Sequence, residues 1–132
     1  MSDVRWIQRF SNFDRAYTVL ARHINNPELN EIEMAGMIQF FEMAFELAWK
    51  VLKDYLENQG YDVKGPRDAI KLSFKIGMIQ DGEVWLKALE ERNLSVHTYD
   101  EVLAKNMINN IKIHYFPMIS KMYETFQNEI GK

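Results

Sequence analysis

Arg92, Asn93, His97 and Tyr99 fall within one short string, Arg92-Asn93-Leu94-Ser95-Val96-His97-Thr98-Tyr99, that holds the groups phosphate-ester chemistry needs. Arginine suits phosphate because its planar fork stays charged and donates two parallel hydrogen bonds. Histidine both gives and takes protons near neutrality. Set against RNA, a base would remove the 2′-hydroxyl proton so that the oxygen attacks the adjacent phosphate. An acid would protonate the leaving oxygen, and Arg92 would stabilise the charge that develops between them. That route needs no metal. A single His97 does not easily act as acid and base at once, so two copies of the chain, facing each other across a twofold axis, belong to this reading. On an ideal helix Arg92 and His97 stand about 140° apart. They converge only if the helix ends or distorts between them, or if each meets the other's copy. Asn93 and His97, four residues apart, share a face, which makes Asn93 a supporting residue. The plainer alternative pairs Arg92 with an acid on a neighbouring helix, lets His97 finish its own helix and uses Tyr99 to plug the end of the bundle. Spacing alone leaves both open.

Composition removes the competing chemistries. The 132 residues include no cysteine, so disulfides, thiolate zinc sites and a cysteine nucleophile are excluded, and a reducing cytoplasm is the expected location. No Glu-x-x-His pair exists for a di-iron bundle, no His-x-x-x-His pair for zinc, and the six glycines are too scattered to form a phosphate-cradling loop. No Asp-x-Asp pair is present to hold catalytic magnesium, so the chain is not expected to be a nucleotidyltransferase itself, and no cofactor or metal is expected. The N-terminus lacks a signal-peptide layout, and the uncharged runs Met34 to Phe41 and Ile113 to Ser120 fall far short of the ~20 residues that a membrane span needs. A net charge of −3 argues against a broadly basic nucleic-acid binder, but two local patches stand out. Lys64, Arg67, Lys71 and Lys75 recur at helical spacing and are candidate contacts for RNA or a nucleotide; Lys105, Lys112 and Lys121 lie in an acid-free stretch from Val102 to Tyr123.

The elements that must position the string are all helical. Trp6, Phe10, Phe13, Tyr17, Leu20 and Ile24 form one apolar stripe that ends near Asn25-Asn26-Pro27. Asn30 and Glu33 are spaced as a capping box for a second helix running to Gly60. Its two apolar faces, Ile38-Phe41-Phe45-Ala48-Leu52-Tyr55 and Phe40-Leu47-Val51, predict a central position. Pro66 opens a short helix that Gly77 closes, and Asp81-Gly82 turns into a fourth helix carrying Val84, Trp85, Ala88 and Leu89. Thr98 and Glu101 are spaced as a capping box for the last helix, which starts around Asp100 and which Pro117 should kink by removing one hydrogen bond and crowding the carbonyl of Ile113. The expected architecture is one all-α domain over residues 1–132: an antiparallel up-and-down four-helix bundle with an additional short helix.

The motif Arg92-x4-His97-x-Tyr99 resembles the signature of HepT-like proteins of the HEPN superfamily, also labelled nucleotidyltransferase substrate-binding proteins. So do Phe45-Glu46-Leu47-Ala48-Trp49-Lys50, Leu52-Lys53-Asp54-Tyr55-Leu56, Pro66-Arg67-Asp68, Gly77-Met78-Ile79 and Asp81-Gly82-Glu83 before Trp85, in order along nearly the whole chain. The resemblance implies a dimerising helical bundle partnered by a minimal nucleotidyltransferase in a toxin-antitoxin pair. It further implies that Arg92 and His97 are metal-independent ribonuclease residues and that Tyr99 accepts AMP from the partner, which silences the toxin. A negative adduct there would repel RNA phosphate. The same family label also covers a non-catalytic subunit that presents substrate to the nucleotidyltransferase. One departure is Phe40, where relatives often carry a basic residue before the Phe-Glu pair, here Phe41-Glu42.

Overall fold

The computed structural model describes residues 3–92 and 100–132. Its helices are α1 (Asp3–His23), α2 (Glu31–Asn58), α3 (Pro66–Lys75), α4 (Gly82–Glu91), α5 (Glu101–Asn110) and α6 (Phe116–Ile130), with a π-helical turn at Ile111–Tyr115 joining the last two into one continuous element. No strand occurs among the described residues.

The α1 stripe packs against α2 in an antiparallel hairpin. The buried Asp54 of α2 meets Arg9 of α1 at 3.0 Å, and Trp6 stands edge-on to Tyr55. Pairing is what makes a carboxylate tolerable at this depth. As the two-faced apolar pattern predicts, α2 is central: Ile38, Phe41, Phe45, Ala48, Val51 and Leu52 are all buried. Its start is a complete capping box, with Asn30 Oδ1 accepting from the Glu33 amide and Glu33 Oε1 from the Asn30 amide. Gly60 and Gly77, at φ 95° and 85°, end α2 and α3 in the left-handed region that only glycine enters without strain.

The long last element runs antiparallel to α1 and parallel to α2. Phe116 stacks on Tyr17 while Phe126 meets Trp6, and Tyr115 stacks on Phe41 while Phe126 meets Tyr55. Its cap differs from the expected Thr98–Glu101 box. Asp100 is the N-cap, its Oδ1 accepting from the amides of Val102 and Leu103. An aspartate one residue before the helix reaches those amides directly, whereas Thr98 lies outside the described residues. The difficulty expected at Pro117 is absorbed by the π turn, in which the Phe116 amide bonds back to the carbonyl of Ile111. Widening the helix there relieves the crowding that a proline imposes on the preceding turn.

Candidate functional site

The site is built at the C-terminal end of α4. Trp85 and Ala88 bury the inner face of this short helix, and the Trp85 ring lies against Phe45 of α2. That packing delivers Arg92, the first residue past the helix, to the flank of α2. Its Nη1 comes within 3.7 Å of Glu46 Oε2, and the side chain stays about one-third exposed at 32%. Glu46 is itself held in place: Trp49 Nε1 donates to it at 3.0 Å and Lys50 Nζ stands 3.9 Å away. A guanidinium carries five N–H donors, so one long ion pair does not saturate the Arg92 fork. The alternative that pairs Arg92 with an acid on a neighbouring helix is therefore realised for Arg92.

Glu91, immediately before Arg92, is fixed from another side. Tyr115 Oη donates to Glu91 Oε1 at 2.7 Å and Asn110 Nδ2 to Oε2 at 3.4 Å. Burial, and then the hydrogen bond to Glu91 and the carboxylate charge, push the Tyr115 phenol well above its usual range, so it stays a donor.

The two basic patches separate clearly. Lys64, Arg67 and Lys71 line an open concavity that also includes Leu89, Glu90 and Arg92, which brings three of the four stripe residues to the motif arginine. Neither Arg67 nor Lys71 forms an ion pair among the described residues, while Lys64 stands 3.7 Å from Asp62. Lys75, exposed in the last turn of α3, is not part of that lining. The other patch is engaged structurally: Lys105 pairs with Glu101, Lys112 donates to the carbonyl of Asn26, and Lys121 pairs with Asp81. Asn93, His97 and Tyr99 lie outside the described residues. His23 and His114 are exposed, away from Arg92 in the sequence.

A family model described as nucleotidyltransferase substrate binding protein like matches residues 8–128. The chain belongs to that family. Among curated proteins it is 32% identical over 73 residues to one named probable ribonuclease HepT, from Haemophilus influenzae; the match spans 52% of this chain and 50% of that protein, about half of each. Among solved structures, a Thermus thermophilus protein matches with a TM-score of 0.75 at 27% identity, over 91% of this chain and 99% of that one. A Haemophilus influenzae protein, described as having the fold of a substrate binding domain of a nucleotidyltransferase, matches with a TM-score of 0.64 at 21% identity, over 96% and 99% of the two chains. At that identity the likeness speaks for the fold.

Within this nucleotidyltransferase substrate-binding family fold, Arg92 stands between two differently charged linings: Lys64, Arg67 and Lys71 with Asp68 and Glu90 on one side, Glu42 and Glu46 on the other. No cluster of three His, Asp or Glu among the described residues is placed to hold a metal ion. No helix among them is long and apolar enough to cross a membrane. Glu46 and Trp49, which join Arg92 in this arrangement, are not singled out by residue type alone. The available signal was their spacing: positions 42, 46 and 49 share one face of α2, and Glu42, Met43 and Glu46 line a depression with Arg92.

Proposed function

We propose that the chain is a HEPN-type, metal-independent endoribonuclease: the toxin of a toxin-antitoxin pair, neutralised when a cognate minimal nucleotidyltransferase transfers AMP to Tyr99. The observation that carries this reading is Arg92 itself, paired with Glu46 and lining the same concavity as Lys64, Arg67 and Lys71. The name of the Haemophilus relative adds support over the half of the chain it matches.

In this reaction His97 takes the proton from a ribose 2′-hydroxyl, and the freed oxygen bonds to the adjacent phosphorus. The bond from phosphorus to the 5′-oxygen breaks, and that oxygen collects a proton from the second histidine of a homodimer. The products carry a 2′,3′-cyclic phosphate and a 5′-hydroxyl. Arg92 stabilises the charge on the non-bridging oxygens, Asn93 supports His97, and Lys64, Arg67 and Lys71 hold the strand by its phosphates, with Lys75 a further candidate contact on the same helix as Arg67 and Lys71. AMP on Tyr99 would add a negative charge that repels the RNA backbone.

The test is incubation of RNA in chelator with wild type, His97→Ala and enzymatically AMP-modified chain. Cleavage by wild type alone supports the proposal; equal cleavage by His97→Ala sinks it. The description of the family as substrate-binding favours a second reading, a non-catalytic subunit that presents substrate to the nucleotidyltransferase. Tight binding to that partner with no cleavage of RNA by any form would select it.

A further inference from the structure

Asn110 and Tyr115 both reach Glu91, although they are five residues apart on one helical element. On a regular α-helix such positions stand about 140° apart around the axis and do not share a target. The π turn at Ile111–Tyr115 changes this, because its i→i+5 bonding brings residues five apart onto one face. Each side chain then takes a different oxygen of the same carboxylate. Tyr115 is almost fully buried and stacked on Phe41 at 5.5 Å between ring centres, so it is a fixed post. The carboxylate it holds belongs to the residue directly before Arg92.

We propose that the π turn is a positioning device for the Arg92 site: Tyr115 and Asn110 clamp both oxygens of Glu91 and so fix the end of α4 from which Arg92 projects. Tyr115, Asn110 and Glu91 are positioning residues that act through Arg92. The consequence for catalysis rests on the ribonuclease reading; the consequence for local order does not. Without the clamp the last turn of α4 keeps the packing of Ala88 and Leu89, but the polar tie left at its end among the described residues is the longer pair between Arg92 and Glu46.

Amide hydrogen exchange and RNA cleavage, measured on the full chain, test this with Tyr115→Phe, which keeps the ring stacked and removes the donor. With the helical spectrum unchanged, exchange at the end of α4 should speed up about tenfold relative to the rest of the bundle. The same variant should lose about tenfold in kcat with KM within about twofold. Asn110→Ala, at a half-exposed position, gives a milder lesion of the same clamp and serves if Tyr115→Phe fails to fold. Glu91→Gln still accepts the phenol proton and meets Asn110 through its amide, so it should retain activity, whereas Glu91→Ala should match Tyr115→Phe. The double variant Tyr115→Phe/Glu91→Ala should be no worse than the worse single one. Unchanged exchange, or losses that simply multiply in the double variant, would overturn the clamp. If wild type cleaves no RNA, the ribonuclease reading fails and the exchange comparison alone decides the clamp.

Discussion

Arg92 is the residue on which the functional reading turns, because its surroundings separate a structural role from a chemical one. A partly exposed ion pair at 3.7 Å contributes at most about 1 kcal/mol to stability. Removing a group that stabilises transition-state charge costs on the order of 100- to 1000-fold in rate. Arg92→Ala should therefore leave the urea midpoint almost unmoved while RNA cleavage falls by that factor. Arg92→Lys should not rescue it, since an ammonium lacks the two parallel donors. A large loss of stability with full cleavage would return Arg92 to the role of a strut. At this scale the sequence was informative about types and poor about partners. The choice of Arg92 followed from its chemistry, whereas Glu46 and Glu91 looked like two of many acids. Which carboxylate meets which cation depends on helix packing, and no local pattern encodes that.

Among the helices, the stripes and most of the caps were legible because they are local: Asn30 with Glu33, Gly60, Pro66 and Gly77 all act where their spacing placed them, while Asp100 and not Thr98 caps α5. The π turn was not. Pro117 signalled a disturbance in the last helix, but whether a helix kinks or widens is settled by what its neighbours accept, here Tyr115 against Phe41 and Glu91. The joint between α1 and α6 supplies a prediction in pH. Tyr123 Oη donates to Asp14 Oδ1 at 2.6 Å, and this bond, with burial behind it, pushes the phenol up to about 12 from an ordinary 10.0. The folded state holds the phenol proton more tightly than the unfolded chain does. The bond's contribution is therefore complete below about pH 10 and is lost as pH rises towards 12. Denaturant titrations across that range should show stability falling steeply for wild type and less steeply for Tyr123→Phe; parallel curves would remove Tyr123 from the cause.

For the molecule as a whole, the net charge of −3 conceals a division of labour. Lys105, Lys112 and Lys121 are tied to acids or a carbonyl, while Arg67 and Lys71 face the concavity beside Arg92 without an ion pair among the described residues. Arg67→Glu/Lys71→Glu should raise KM for long RNA and flatten its salt dependence, each lost phosphate contact removing about 0.7 from the slope of log affinity against log salt. A dinucleotide, whose single phosphate is taken by Arg92, should lose much less in KM than long RNA. Equal effects on both substrates would mean that the substitutions damage the site rather than the path to it. The central claim is that Arg92 and His97 cut RNA without a metal, and the most direct measurement is the end chemistry of RNA incubated in chelator with wild type and with His97→Ala. Wild type should yield 2′,3′-cyclic phosphate and 5′-hydroxyl ends that the variant does not; intact RNA in both, or the same ends from both, would contradict it.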